Sequence, residues 1–446
     1  MTPDFPVKIL FVGDMHLGRR ASRIPDDIGA GGGPTPEDLA PLITLQRTVD
    51  LACAEKVQAV AFAGDLVHAE NNLFEARAQL EAGLAPLLEA GLKIVAVAGN
   101  HDTHIMPLLA DSIAGLHLLG RNGTWSSADI TPQVRLAGWS FPAPHHRDSP
   151  LLQTPPAPQT GVVTIGLLHA DLDVAKSRYA PVNSGQLQNL GYDGWALGHI
   201  HAPDATPTPE NPARPFYLGS IGAVPPTETG AHGPVLATVG ANGSIQWERR
   251  IIAPLRWEHV ELSVDELALG NPDSPDGPHS LVADPVAVLR RHLYTFAETC
   301  LPPIDPQYPL LALGLRLTLT GTHVAAHVLQ EAVRKLQSQA MVSKIDGCWI
   351  FIDKITADFN LPLDLQDLAG RQDPPGLLAR RILALEMNDP AADDLVRQAR
   401  RQFDEVSLPR EFAESQATDQ MARKYLIRAG RQALNALLDQ SAEGSA

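Results

Sequence analysis

The chain has 446 residues, of which 44% are hydrophobic and 19% charged, and its 51 Asp and Glu against 35 Lys and Arg give a net charge of −16. This length predicts two or three domains. The sequence has no apolar run of about 18 residues and no secretory leader pattern, so we expect neither a membrane-spanning segment nor a membrane partner. Three distant cysteines (Cys53, Cys300 and Cys348) argue against a disulfide framework and favour a reducing, cytoplasmic location.

In chain order, the first elements are three short apolar runs that each end in a polar turn. The runs and their turns are 7–12 before Gly13-Asp14-Met15-His16, 57–63 before Gly64-Asp65, and 92–98 before Gly99-Asn100-His101-Asp102. Runs of this length that end at glycine are typical of buried strands. Helical patterns at 42–55 and 72–89 lie between them. Strand, helix and strand at this spacing predict βαβ units and a sheet covered on both faces.

Further strands follow with the same arrangement. They are predicted at 134–141, at 162–168 before His169, at 195–198 before His199-Ile200-His201, and at 216–221. Two more strands, 234–239 and 244–249, flank Asn242-Gly243, which is a strong signal for a type I′ hairpin turn. This front half of the chain therefore predicts an α/β domain.

The back half has a weaker pattern. A boundary is predicted near residue 254, and the alternating run 311–320 with a helical pattern at 324–339 predicts a small α+β domain over 255–345. From 346 to 446 the chain is predicted to be mainly helical. Its clearest helix, 422–440, carries an apolar stripe at helical spacing with basic residues on the other side.

Most of the candidate functional side chains come directly after strands. They are Asp14, His16, Asp65, Asn100, His101, His169, His199 and His201. The carboxyl ends of strands form the binding edge of an open α/β sheet, so five strand ends bring these groups toward one edge. Carboxylate, amide and imidazole donors suit Mn²⁺, Fe²⁺ or Zn²⁺. Seven ligands exceed what one tetrahedral ion needs and fit two ions that share a carboxylate, an arrangement suited to in-line displacement at phosphorus.

Each of these short patterns also has a structural interpretation. A lone Gly-Asp after a strand is usually a turn, and a His-x-His pair alone is a weak metal signal. Gly-Asn-His-Asp is harder to explain by packing. The order Asp-x-His, Gly-Asp, Gly-Asn-His-Asp, His and His-x-His makes a structural coincidence improbable.

In that order, the motifs resemble those of the calcineurin-like metallophosphoesterases. Within them the chain is most similar to the SbcD/YhaO group of DNA repair nucleases, through residues 191–201 and Glu228-Thr229-Gly230. The resemblance is strong over 7–250. It implies a core of two packed β-sheets flanked by helices over 1–254, a small α+β capping domain over 255–345 and a helical C-terminal region over 346–446.

The resemblance also implies roles for individual residues. Asp14, His16 and His201 would hold one ion, Asn100, His169 and His199 a second, and Asp65 would bridge the two. Two divalent ions are expected, and Mn²⁺ is the metal we predict. His101 matches the catalytic histidine of the family, and His68 matches a histidine that nuclease members place near the scissile phosphate. His68 could instead be a surface histidine before a helix, and Asp102 could orient His101 or cap a helix.

The resemblance predicts a metal-dependent DNA exonuclease or endonuclease. Members work with an SMC-like ATPase of the SbcC/YhaN type and pair as homodimers, and helix 422–440 is a candidate contact for the ATPase or an ordinary packing helix. Because DNA affinity rests on Lys and Arg, the acidic charge favours either a partner that supplies this affinity or a small substrate. The alternatives are a small-molecule phosphodiesterase or phosphatase and a non-catalytic DNA-repair scaffold.

Overall fold

The computed structural model describes residues 6–68, 73–174, 176–267, 284–301, 307–323, 326–338, 342–360, 364–405 and 418–443. Residues 72, 324, 325 and 339 of the predicted helices lie outside this described part. The strands in chain order are β1 (Val7–Val12), β2 (Ala59–Ala63), β3 (Lys93–Val97), β4 (Leu116–Leu118), β5 (Trp125–Thr131), β6 (Val134–Trp139), β7 (Val163–His169), β8 (Gly194–Gly198), β9 (Phe216–Tyr217), β10 (Val235–Val239), β11 (Ile245–Arg249), β12 (Leu255–Ser263), β13 (Ala312–Thr322), β14 (Val342–Ile345) and β15 (Cys348–Asn360).

The α-helices of the described residues alternate with these strands in the front half and cluster near the C-terminus. They are α1 (Asp26–Ala30), α2 (Pro41–Glu55), α3 (Leu73–Glu89), α4 (Met106–Ser112), α5 (Ser184–Asn189), α6 (Pro285–Cys300), α7 (Ala326–Ser338), α8 (Leu365–Ala369), α9 (Pro374–Glu386), α10 (Asp393–Glu405) and α11 (Asp419–Glu443). No helix in the described ranges combines the length and apolar character that crossing a membrane requires.

Two sheets form the core of the front half. The first has the order β11-β10-β1-β2-β3-β4, in which β1 to β4 are parallel and β10 runs antiparallel to β1. The second has the order β5-β6-β7-β8-β9, in which β6 to β9 are parallel. The predicted α/β core of two packed sheets with flanking helices is confirmed.

Alternation along the strands explains how the first sheet is covered on both faces. Leu10 and Val60 point to one face, where they pack with residues of α2, α3 and α4. Ile9 and Ala61 point to the other face, where they pack against Ile165 and other residues of the second sheet. The predicted sheet with two covered faces is therefore present, with helices on one side and a second sheet on the other.

The structure differs from the sequence prediction in several details, and strands β4, β5, β12 and β14 were not predicted. Strand β9 covers only Phe216–Tyr217 of the predicted 216–221. In the hairpin only Gly243 has a positive φ, of 79°, and Asn242 does not, so the turn is not type I′, which requires positive φ at both residues. The long strand β15 was missed because its apolar residues lie in a segment predicted to be helical.

The chain divides into two compact units. The first comprises Met1–Val260, Leu293–Arg316 and Gln339–Lys354, and the second comprises Glu261–His292, Leu317–Ser338 and Ile355–Ala446. A third sheet has the order β12-β13-β15-β14. The domain boundaries at residues 254 and 345 stay predictions.

Candidate metal centre

The predicted side chains lie together at the carboxyl ends of five parallel strands. Strands β1, β2 and β3 of the first sheet lead into Asp14, Asp65 and Asn100, and β7 and β8 of the second sheet lead into His169 and His199. Since the two sheets pack face to face, these turns converge from both sides. We call the seven residues Asp14, His16, Asp65, Asn100, His169, His199 and His201 the cage.

Two overlapping groups within the cage have metal-ligand spacing. The ligand atoms of Asp14, His16 and His201 lie within 4.8 Å of one another, and so do those of Asp14, Asp65 and His169. The Nε2 atoms of His16 and His201 are 3.0 Å apart. The first group is the set that the family resemblance assigns to one ion.

Asp65 lies between the two sets of predicted ligands. Its Oδ2 is 3.7 Å from His16 Nε2 and 3.5 Å from His169 Nε2. The amide oxygen of Asn100 is 3.0 Å from His169 Nε2 and 3.2 Å from His199 Nδ1. The seven predicted ligands are thus joined by short contacts, with Asp65 where a shared ligand would be.

The backbone at the cage adopts uncommon conformations. His16, Asp65 and His199 have φ values of 48°, 48° and 100°, which are uncommon for residues with a Cβ. Such strain is stable only where the surrounding structure enforces it, and it clusters at functional sites. Gly64, at φ 93°, fits the same crowding, because a Cβ there would lie 2.5 Å from His169 Nδ1.

The donor set fits a bound cation. His201 donates its Nδ1–H to Glu228 at 2.6 Å, and His169 donates its Nδ1–H to the Ala63 carbonyl at 3.0 Å. The Nε2 lone pair of His169 then faces Asp65 Oδ2 at 3.5 Å, and an ionised carboxylate oxygen can only accept. Acceptors that face acceptors repel, and a cation between them removes the repulsion. The residues present therefore suit divalent metal ions.

The pKa directions agree with a site that is built for positive charge. Burial raises the pKa of Asp14, and burial together with the charges of Asp102 and Asp14 raises the pKa of Asp65. Burial and neighbouring histidines lower the pKa of His16 and His169. Neutral imidazole is the form that binds metal, so His16 and His169 are held in that form. His201 differs, because its hydrogen bond to Glu228 and the charges of Asp14 and Glu228 together outweigh burial and raise its pKa.

The two predicted catalytic histidines lie beside the cage. The ring of His101 is 5.2 Å from that of His16, and the ring of His68 stacks on His101 at 5.7 Å. The His101 amide donates to Asp65 Oδ1 at 2.9 Å, which ties its backbone to the proposed shared ligand. The His101 side chain is exposed, so it can contact a bound substrate.

Asp102 has neither of the two roles considered for it. Its carboxylate accepts hydrogen bonds from the amides of Gly99 at 2.8 Å and Leu66 at 2.7 Å. It therefore joins the turns after β2 and β3, and the side chain neither orients His101 nor caps α4. Burial raises the pKa of Asp102 to about 7.

Two carboxylates that support the cage were missed as site residues. Glu228 accepts from His201 and also from Ser220 Oγ at 2.9 Å, and Asp171 lies 3.2 Å from His199 Nε2. Each holds one imidazole so that its other nitrogen faces the cage, as the outer partners of metal-binding histidines do. Glu228 was noticed only within Glu228-Thr229-Gly230, and Asp171 had a signal in His169-Ala170-Asp171, directly after β7.

One protein-family model matches the part of the chain that carries the cage. The family model described as calcineurin-like phosphoesterase matches residues 7–203. This region, which is less than half of the chain, is therefore similar to the calcineurin-like phosphoesterases. It includes all seven residues of the cage, from Asp14 to His201.

Curated relatives match parts of the chain. The uncharacterized metallophosphoesterase YhaO of Bacillus subtilis (strain 168) is 28% identical over 235 residues, which cover 50% of this chain and 55% of YhaO. The probable inactive purple acid phosphatase 14 of Arabidopsis thaliana is 34% identical over 95 residues, which cover 21% of this chain and 23% of that protein. The chain therefore spans about half or less of the length of these relatives.

Solved structures also resemble part of the chain. A dimetal phosphatase from Danio rerio is 13% identical, with a TM-score of 0.34 over 52% of this chain and 93% of its own. The protein TT1561 of Thermus thermophilus is 12% identical, with a TM-score of 0.32 over 55% of this chain and 99% of its own.

Proposed function

We propose that the protein is a metal-dependent phosphodiesterase that uses two divalent ions, and that its substrate is DNA. Mn²⁺ is the metal we expect. The observation that carries the proposal is Asp65, whose carboxylate lies between His16 and His169 at 3.7 and 3.5 Å within a cage of seven donors. When bound, two such ions neutralise phosphate charge and activate water for attack at phosphorus. The side chains of the protein would position the substrate and donate or accept protons.

Those tasks are positioning and proton handling. The cage is closed on the side of Asp14, Asp65 and His169, which are buried, and opens at His201, whose side chain is 27% exposed, and at His101. A phosphodiester at this opening would meet the His101 ring. His101 would donate a hydrogen bond to the phosphate or the leaving oxygen, and His68, stacked against it, would hold the ring in place.

DNA as the substrate rests on the motif pattern. The run from Gly191 to His201 and the segment Glu228-Thr229-Gly230 are similar to the SbcD/YhaO group. His68 takes the place at which nuclease members of the family carry a histidine, and its ring lies 5.6 Å from that of His16. We propose a role in DNA repair on the same grounds, and the three distant cysteines support a cytoplasmic location.

The direct test is cleavage of end-labelled linear DNA by the purified chain with Mn²⁺. Asp65→Ala is the matched control, since it removes the proposed shared ligand without adding charge. Degradation by the wild type alone supports the nuclease. Hydrolysis of bis-p-nitrophenyl phosphate without DNA cleavage would refute DNA as a substrate of the isolated chain, and inactivity on both would contradict the phosphodiesterase.

A small-molecule phosphodiesterase or phosphatase on the same cage is the second candidate. The net charge of −16 favours it, because a polyanion is repelled more strongly than a single nucleotide. A comparison of kcat/KM for cyclic nucleotides, nucleoside monophosphates and DNA separates the two. The third candidate, a non-catalytic scaffold, is disfavoured by the complete set of donors and His101.

An SMC-like ATPase of the SbcC/YhaN type is the proposed partner, and a homodimer the proposed assembly. Helix α11 buries Ala422 and Leu434 within its own unit, and Arg423 and Arg431 pair with Asp393 and Glu386. The contact would therefore use its exposed residues, Met421 and Tyr425. Retention of the ATPase by Tyr425→Asp in a pull-down would exclude this part of the helix.

A further inference from the structure

A buried histidine outside the cage begins a hydrogen-bond chain that ends at His201. This residue, His232, is 1% exposed, and its Nδ1 lies 2.8 Å from the carbonyl oxygen of Ser220 and 3.2 Å from Ser220 Oγ. A carbonyl oxygen can only accept a hydrogen bond, so the proton of the shorter contact belongs to Nδ1. The His232 ring therefore donates to Ser220.

Ser220 contacts both His201 and the carboxylate that pairs with it. The Ser220 amide donates to the His201 carbonyl at 2.9 Å, and Ser220 Oγ donates to Glu228 Oε2 at 2.9 Å. The other oxygen of this carboxylate, Oε1, accepts from His201 Nδ1 at 2.6 Å. Ser220 thus holds the backbone of His201 and also the group that orients its ring.

The second ring nitrogen of His232 shows which of its hydrogen bonds matters. Nε2 lies 3.2 Å from the Thr229 carbonyl oxygen, which also can only accept. Burial lowers the pKa of His232 and outweighs the Ser220 carbonyl and the Glu228 carboxylate, which raise it. The ring is therefore neutral and has one proton, which the shorter contact assigns to Nδ1. The contact with Thr229 then contributes no hydrogen bond, and the ring acts through Ser220.

Both ends of the chain are also held by backbone amides. The amides of Ile252 and Ala253 donate to the His232 carbonyl at 3.3 and 3.4 Å. The Val224 amide donates to Glu228 Oε2 at 3.3 Å. The Glu228 carboxylate cannot rotate without the loss of at least one of its hydrogen bonds, and its direction determines where the ring of His201 points.

We infer that His232 is a positioning residue of the metal centre, which acts through Ser220 and Glu228 to direct the Nε2 atom of His201 into the cage. Outer hydrogen bonds fix the tautomer and the orientation of metal-binding histidines. His201 needs this support because its side chain is 27% exposed, whereas that of His169 is completely buried. The inference rests on the proposed function and identifies what keeps one of its metal ligands in place.

Two substitutions of His232 separate hydrogen bonding from packing. His232→Asn places an amide near the position of Nδ1, and His232→Gln places one near the position of Nε2. We expect His232→Asn to bind Mn²⁺ like the wild type and His232→Gln to bind it about 2- to 12-fold more weakly, as the loss of one neutral hydrogen bond implies. Isothermal titration of the full chain measures both affinities, and His117→Gln, at an exposed position of β4, is the control.

A double-mutant cycle tests whether His232 acts through Glu228. His232→Gln should lower the Mn²⁺ affinity of the wild type and have little effect in Glu228→Gln, which has already lost the charge that orients His201. Ser220→Ala tests the same chain without a change at His232, and it should lower the affinity about 10- to 100-fold.

Three results would overturn the inference. They are wild-type affinity in His232→Gln, additive losses in the double-mutant cycle, and a larger loss in His232→Asn than in His232→Gln. The last result is what a packing role predicts, since Gln fills more of the space of the imidazole. The wild-type titration distinguishes this failure from that of the proposed function, because a wild type that binds no Mn²⁺ would contradict the metal-dependent phosphodiesterase itself.

Discussion

The centres of the core strands and their carboxyl ends bury very different residues. Leu10 and Phe62 in β1 and β2 are almost completely buried among other apolar side chains. A few residues further along the same strands, Asp14 and Asp65 are buried to nearly the same degree but are acidic. Burial therefore stabilises the fold at the centres and is unfavourable at the ends.

The energetic difference between these two regions defines what each contributes. A fully buried Leu or Phe contributes about 1.5–3 kcal/mol through removal of apolar surface from water. A buried carboxylate is disfavoured unless it is paired, and the raised pKa values of Asp14 and Asp65, caused by burial, express that penalty. Ligand binding adds stability only to the state that binds, so a bound cation would stabilise the strand ends and leave the centres unaffected.

Replacement of the proposed shared ligand should have the largest effect. Asp65→Ala removes the carboxylate that lies between His16 and His169, so we expect no detectable phosphodiester hydrolysis. The rise in Tm that Mn²⁺ produces in the wild type should also disappear, as measured by differential scanning fluorimetry. The metal-free variant should be at least as stable as the metal-free wild type, because a buried charge is gone. Wild-type metal stabilisation in this variant would show that Asp65 is not a ligand.

The substitution His101→Ala should have the next largest effect. His101 touches the cage through its amide and presents an exposed ring, so the variant should keep its metal ions and lose about 10²- to 10⁴-fold in kcat. Steady-state kinetics on a small diester measure kcat, and the metal content after gel filtration shows whether the ions are retained. Loss of metal would assign His101 to the cage instead.

A change at a strand centre should act on stability alone. Leu10→Ala leaves a cavity between the first sheet and its helices, and we expect a loss of about 2–5 kcal/mol in the free energy of unfolding. Urea denaturation measures the loss. Activity per folded molecule, measured well below the Tm, should stay near the wild-type value. A large drop in that activity would contradict the view that strand centres contribute to stability and strand ends to activity.

The smallest of these effects should come from Glu228 and Asp171, the carboxylates that pair with histidines of the cage. Glu228→Gln keeps the shape of the side chain but removes the charge that orients His201, and we expect metal affinity about 10- to 100-fold lower. Isothermal titration with Mn²⁺ measures it, and Glu248→Gln on the exposed end of β11 is a suitable control. Unchanged affinity would mean that Glu228 only supports the turn near Ser220.

The α/β class, most strands of the front half and the candidate donors could be predicted from the sequence alone, whereas β4 and β5 were missed. The predicted strands and donors could be recognised because strand periodicity is local and because ligands that follow parallel strands must meet at one edge. Asp14 and Asp65 each lie two residues after a strand of the first sheet, so their proximity follows from local strand order. His169 ends β7 of the second sheet, and its approach to them depends on how the two sheets pack.

Only the tertiary structure decided how the cage is supported. The partnership of Glu228 with His201 joins residues 27 positions apart, and that of Asp102 with Leu66 joins residues 36 positions apart. Whether a carboxylate caps a helix, orients a ring or ties two turns together depends on which backbone amides lie near it after packing. The long strand β15 and the turn at Gly243 were decided in the same way, because pairing with neighbouring strands outweighs local preference.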